Sequence, residues 1–191
     1  SHWIDRPLPE IAKALRNFDL SARDLAEEGI ARHQKWEQIL GAYKTWDATL
    51  TRSQAEAADE AFKKTKDFGP AQGILFSVKD IYGVEGYPIF AGSPNPQPPE
   101  WEEDGPVVKT VKEQLAIITG KTHTVEFAFG GLGSNPHWAT PRNPWAADDH
   151  RVPGGSSSGA GVSLLEGSAL IAFGTDTGGS VRVPASMTGN V

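Results

Sequence analysis

Apolar residues recur at helical spacing from the start of the chain. Leu8, Ile11, Ala12 and Leu15 fall on one face of a helix predicted over residues 8–17. Ser21 stands where an N-cap belongs, ahead of a second helix over 22–38 with Leu25, Ile30 and Trp36 among its apolar positions. Residues 39–46 read as a short strand. Thr51 or Ser53 is the expected cap of a third helix over 54–66, polar on most of its surface.

At Phe68 the pattern changes. Gly69-Pro70 is a break, and the run Ile74-Leu75-Phe76-Ser77-Val78 predicts a strand that ends at Lys79-Asp80. Residues 83–106 are loop-rich, with prolines at 88, 94, 96, 98, 99 and 106. A helix over 107–115 and a strand over 116–119 follow, and strand, helix and strand in this order suggest a parallel α/β layout. Residues 122–129 hold another short element. Residues 130–153, with Asn135-Pro136, Thr140-Pro141 and Asn143-Pro144, form a long irregular stretch, and such stretches in compact domains are usually functional.

The last part is built differently. Residues 153–190 carry two Ser/Gly clusters, Gly154–Gly161 and Thr175–Ser180, separated by an apolar segment. Nine of these 38 residues are glycine, a density that weakens regular structure and suits backbone held close to a ligand. A helix over 159–166 would aim its first amides at the first cluster, a buried strand is predicted over 169–174, and 175–180 is the turn leaving it. Hydroxyls set among exposed amides are the material for an oxygen nucleophile beside an oxyanion hole.

Composition narrows the chemistry. There is no cysteine among the 191 residues, so thiol catalysis, disulfides and thiolate metal sites are excluded. The net charge of −6 argues against a nucleic-acid or anionic-membrane surface. Apolar runs fall far short of a bilayer span, and the first residues show no signal pattern, so a cytoplasmic protein is the default expectation. Gly155-Ser156-Ser157-Ser158-Gly159 formally matches the G-x-S-x-G elbow of α/β-hydrolases. That elbow needs a later histidine, and His2, His33, His123, His137 and His150 all precede it. Gly154-x4-Gly159 lacks the Lys-Ser/Thr of a phosphate loop, and His123-x-x-Glu126 has no partners for a metal. No metal and no cofactor are expected. A serine still needs a base, and a buried lysine can serve because burial disfavours its charged form. Lys79, at the end of an apolar strand, is the natural candidate, the alternative being a surface lysine at a strand end.

These residues resemble the amidase signature family. The resemblance rests on Gly154-Gly155-Ser156-Ser157-Ser158-Gly159 and on Gly174-Thr175-Asp176-Thr177-Gly178-Gly179-Ser180-Val181-Arg182 with Pro184-Ala185. It extends upstream to residues 73–80 around Lys79, to Gly120-Lys121-Thr122 with Glu126-Phe127-Ala128, and to residues 140–145. The resemblance implies an α/β fold with a mixed β-sheet flanked by helices. It implies a Ser–cis-Ser–Lys triad, with Lys79 as base, Ser156 as the bridging serine after a cis peptide bond, and Ser180 as nucleophile. It implies an oxyanion hole from the backbone of Thr177, Gly178 and Gly179 together with Ser180, with Asp176 and Arg182 as structural supports.

The implied activity is hydrolysis of a linear carboxamide through an acyl-enzyme, on a small-molecule substrate without nucleic-acid or membrane partners. The same resemblance admits the ammonia-producing subunit of a glutamine-dependent amidotransferase, and a non-catalytic fragment. Family members are more than twice as long. Residues 1–67 are therefore expected to be an N-terminal helical layer and 68–191 the front part of the core, lacking its C-terminal part. Such a piece is expected to expose apolar faces and to associate, for instance as a homo-oligomer. Trp138 and Trp145 in the irregular stretch either line a pocket or pack the loop down.

Overall fold

In a computed structural model of the chain, residues 2–146 and 148–191 are described. The N-terminal helices form where the periodicity places them. Helix α1 spans Leu8–Arg16 and buries Ile11, Ala14 and Leu15. Helix α2 spans Ala22–Leu40, and the Ser21 hydroxyl accepts from the Asp24 N–H at 2.9 Å. It runs two residues past its predicted end and stops at Gly41, whose φ of 59° is a left-handed cap. The predicted strand therefore shrinks to β1, Tyr43–Trp46.

Helix α3, Ala48–Lys63, starts earlier than the sequence suggests. Its cap is Asp47, whose carboxylate accepts from the Leu50 N–H at 2.9 Å. Thr51 and Ser53 lie inside the first turns and donate to the carbonyls of Asp47 and Leu50. Their hydroxyls bond backwards into the helix, so neither is free to cap it.

The remaining elements are β2 (Leu75–Lys79), α4 (Pro106–Glu113), β3 (Ile117–Thr122), α5 (Ala160–Glu166), β4 (Ile171–Phe173) and α6 (Arg182–Thr188). Residues 122–129 hold a short 3-10 turn, Glu126–Ala128, rather than a longer element. The sheet order is β1-β3-β2-β4. Strand β2 runs parallel to β3 and β4, and β1 closes one edge antiparallel to β3. The architecture is thus the mixed α/β sheet with flanking helices that the sequence implied.

Strand β3 continues through Gly120 instead of ending before it. A Cβ at Gly120 would lie 2.4 Å from the Thr45 carbonyl oxygen, so glycine is what lets β1 pair here. The β2–β3 register slips by one residue between Phe76 and Ser77, leaving Thr119 outside the ladder. The Thr119 hydroxyl then donates to the Phe76 carbonyl at 3.1 Å.

One apolar cluster unites Ile11 and Leu15 of α1, Leu25 of α2, Phe62 of α3, Val108 of α4 and Leu75, Phe76, Ile117 and Ile118 of the sheet. Helix α5 packs against β2, β4, α2 and α6. A polar seam runs under it. His33 Nδ1 lies 3.0 Å from Glu166 Oε1, the Tyr43 hydroxyl meets Thr119 and Ser168, and Ser77 meets Ser163 at 2.8 Å. These bonds fix α5, and with it the serine cluster just before it. Among the described residues, no helix is long and apolar enough to cross a membrane.

Candidate active site

Strand β2 delivers Lys79 to the end of the sheet, opposite Thr122 of β3. All five β2 residues are buried, and Lys79 is 0% exposed. Its ammonium nitrogen donates to Ser156 Oγ at 2.7 Å and to Thr175 Oγ1 at 2.8 Å. Burial pushes Lys79 down from an ordinary 10.5 to about 8, and the nearby Asp176 carboxylate opposes that shift. The other buried lysine, Lys121, differs. Its nitrogen sits 2.9 Å from Asp80 Oδ1, both side chains are excluded from water, and Asp80 also accepts from the Phe90 N–H at 3.1 Å.

Ser156 is fully buried, and the Gly155–Ser156 peptide bond is cis. Val125, after β3, and the irregular stretch strap this segment in place. Val125 N–H donates to the Ser156 carbonyl at 3.0 Å, Gly155 N–H to Gly131 at 2.8 Å and Gly154 N–H to Leu132 at 3.2 Å. The next serine ties the two clusters together. Ser157 N–H donates to the Ser180 carbonyl at 3.2 Å. The Ser157 hydroxyl lies 3.3 Å from the Thr175 nitrogen and 3.4 Å from its carbonyl oxygen. Gly174 makes that approach possible, since a Cβ there would lie 2.7 Å from Ser157 Oγ.

The turn after β4 is organised by Asp176. Its carboxylate accepts from the amides of Gly179 at 2.7 Å, Val181 at 3.1 Å and Arg182 at 3.2 Å, and from the Arg182 guanidinium. That guanidinium first, and then the amides, hold the Asp176 carboxyl well below the usual carboxylate range. Asp176 and Arg182 together tie the turn to the start of α6.

Among the predicted residues, the structure brings Lys79 and Ser156 into hydrogen-bond contact. Ser180 is joined to the serine cluster through its main chain, and among the described residues its hydroxyl makes no hydrogen bond to Ser156. Thr177 and Gly178 are exposed on the turn, with amides free of protein partners among the described residues. The Gly179 N–H donates to Asp176 Oδ1 at 2.7 Å. The sequence pattern does not single out Thr175. Its signal, a hydroxyl between the last strand glycine and the turn aspartate, is visible only once Lys79 is placed against it.

The two tryptophans pack the loop down. Trp138 donates its indole N–H to the Ser93 carbonyl at 2.7 Å, and Trp145 donates to Thr188 at 2.7 Å. The Lys44 ammonium sits over both Phe90 and Trp138, 4.0 and 3.9 Å from the ring centroids. His123 is buried beside the sheet, where burial and then Lys44 lower it to about 4. Glu126 pairs with His137 at 3.2 Å rather than with His123.

Comparison with known proteins accords with this geometry. A family model described as Amidase matches residues 24–191. The chain is 57% identical over 184 residues to 2-amino-5-chloromuconic acid deaminase of Comamonas testosteroni, covering 96% of this chain and 40% of that protein. It is 40% identical to a glutamyl-tRNA(Gln) amidotransferase subunit of Cupriavidus taiwanensis, covering 95% of this chain and 36% of that protein. The chain thus spans about two fifths of the length of these curated relatives. A crystal structure of an amidase superposes with a TM-score of 0.85 at 34% identity, over 94% of this chain and 41% of that one. Fatty acid amide hydrolase superposes with a TM-score of 0.82 at 25% identity, over 95% of this chain and 32% of that one. The chain belongs to the Amidase family.

Proposed function

We propose that this chain carries the acylating machinery of an amidohydrolase that cleaves a linear carboxamide, with Ser180 as nucleophile, Ser156 as relay and Lys79 as base. The observation that carries the reading is the buried amine of Lys79, 2.7 Å from the buried hydroxyl of Ser156. Its lowered pKa, about 8, leaves a useful fraction neutral near pH 7.

Neutral Lys79 takes the proton of Ser156, and Ser156 takes that of Ser180 as the Ser180 hydroxyl turns toward it. The Ser180 oxygen then bonds to the amide carbon. The developing oxyanion is met by the amides of Thr177, Gly178 and Ser180, each such donor contributing on the order of 10²–10³ in rate. Ser156 returns a proton to the nitrogen as the C–N bond breaks, because an amine leaves only when protonated. Water then attacks the acyl-enzyme, giving up a proton by the same route, and the acid is released.

A second reading changes the reaction as well as the substrate, because the amine of a 2-aminomuconic acid sits on a vinyl carbon and its C–N hydrolysis passes through no acyl-enzyme on Ser180. The 57% identity to a 2-amino-5-chloromuconic acid deaminase favours a small unsaturated 2-amino acid, from which C–N hydrolysis releases ammonia. The lower identity to the amidotransferase subunit gives glutamine less support. Both readings are tested together. The full-length enzyme is treated with a fluorophosphonate probe and the adduct located by mass spectrometry, and ammonia release is followed with a simple carboxamide, 2-aminomuconate and glutamine. Labelling at Ser180 is expected, and its loss in Ser180→Ala and Lys79→Met. Undiminished labelling in either variant sinks the mechanism. Ammonia from 2-aminomuconate alone selects the second reading.

A further inference from the structure

Lys79 makes two hydrogen bonds, and the proposed mechanism uses one of them. The second goes to Thr175 Oγ1 at 2.8 Å. Thr175 lies between β4 and the Asp176 turn. It is itself clamped, since the Ser157 hydroxyl reaches both its nitrogen and its carbonyl oxygen. The amine of Lys79 is therefore held between Ser156 of the first serine cluster and Thr175 of the second.

A neutral amine has two N–H bonds and one lone pair. To accept the Ser156 proton, the lone pair must face Ser156 Oγ, so both N–H bonds must point elsewhere. An acceptor for one of them fixes the rotation of the amine about its carbon. Thr175 Oγ1 is that acceptor. We propose that Thr175 is a positioning residue for the proton transfer, its hydroxyl holding an N–H of Lys79 so that the lone pair faces Ser156, with Ser157 keeping Thr175 in place. This inference rests on the reading of Lys79 as the base.

The arrangement makes a specific demand on pH dependence. An acceptor hydrogen bond favours the ammonium over the amine, so removing it lowers the pH at which Lys79 gives up its proton. A merely structural role has the opposite effect, because loosening the strand end admits water and moves Lys79 back up. The other groups carried by the surrounding elements are Asp176 after β4, Asp80 just after β2 with its partner Lys121 of β3, Lys44 of β1, His123 after β3 and Tyr82 beyond β2. A substitution at Thr175 alters none of their charges.

The test is the second-order rate of labelling of the full-length enzyme by a fluorophosphonate, measured across about pH 6 to 10. The parent rate is expected to rise with a midpoint near the Lys79 value of about 8. Thr175→Val, which keeps the shape and removes the hydroxyl, is expected to lower the plateau by about 10- to 100-fold through misorientation of the amine. Its midpoint is expected to move down by roughly half a unit to one unit. Thr175→Ser is expected to restore both. Where the buried methyl of valine prevents folding, Thr175→Ala is read with the same expectations. A parent-like plateau in the variant lacking the hydroxyl, a midpoint that moves up, or failure of Thr175→Ser to restore activity overturns the inference. Lys79→Met separates this from the functional reading. If Lys79→Met still labels normally, the base assignment itself is wrong. If it is inactive while Thr175→Val behaves like the parent, only the role of Thr175 falls.

Discussion

Replacing Lys79 by methionine should make the protein inactive and, at neutral pH, more stable. The perturbation is a buried amine whose folded value is about 8 against an ordinary 10.5. Between those two values the unfolded chain binds more protons than the folded one, so stability due to this group rises with pH across that window. Below about pH 8 the folded state carries the full penalty of holding a lysine in a site that disfavours its charge. The size of the shift corresponds to roughly 3 kcal/mol. Lys79→Met removes that penalty and also removes hydrogen bonds to Ser156 and Thr175, each contributing about 1 kcal/mol. The net gain expected near pH 7 is therefore about 1 kcal/mol. The change with pH is the sharper quantity, because the lost hydrogen bonds add a nearly constant offset. Urea unfolding of parent and variant, as the full-length protein, at several pH values from neutrality to above 10.5 should show the stability difference shifting by roughly 3 kcal/mol in favour of the parent. A difference that does not change with pH would mean that Lys79 keeps an ordinary pKa, and the argument for a neutral base would collapse.

Two further substitutions probe the frame around the site. Gly174→Ala places a Cβ 2.7 Å from Ser157 Oγ and 2.9 Å from Val181 Cγ2; it should destabilise by about 1–3 kcal/mol and slow fluorophosphonate labelling, and parent-like labelling would show that the clamp on Thr175 is dispensable. Asp80→Ala leaves Lys121 buried without its partner and should destabilise by roughly 3–5 kcal/mol in urea, while Asp80→Leu combined with Lys121→Met should recover most of that loss; an equal loss in the double variant would show that packing, not charge, sets the effect.

The parts of this site that are legible in the sequence are those set by local pattern. Lys79 ends an apolar run, so strand and lysine are read together. The two Ser/Gly clusters stand out through glycine density and motif. What the sequence does not reveal depends on partners far away in the chain. Local pattern ends β3 at Thr119 because Gly120-Lys121 looks like a break, yet Lys121 is buried by an aspartate 41 residues away. It misplaces the cap of α3 because Asp47, Thr51 and Ser53 all have capping side chains, and only the helix register decides which one meets a free amide. It gives no sign of helix α6, since Pro184 lies inside its short span and Gly189 ends it. The hydrogen bond from the Gly179 N–H to Asp176 depends on the folded turn, and no local pattern shows it.

The two buried lysines of the sheet lie at the same depth but meet different neighbours. Lys79 ends β2 and Lys121 lies near the end of β3, and both are fully excluded from water. Burial lowers the pKa of each. Lys121 meets the Asp80 carboxylate at 2.9 Å, a contact that restores much of what burial takes from the charged form. Lys79 meets only hydroxyls at hydrogen-bond distance among the described residues, and hydroxyls compensate an ammonium far less than a carboxylate does. The carboxylate that acts on Lys79, Asp176, spends its oxygens on three turn amides and on Arg182. It supports the Ser180 turn without forming an ion pair with the amine. Depth alone therefore does not separate the two lysines, since Lys121 is as deep as Lys79. The choice of neighbour does, and it is set where β2 ends, since Lys79, its last residue, reaches Ser156 while Asp80, the residue after it, reaches Lys121.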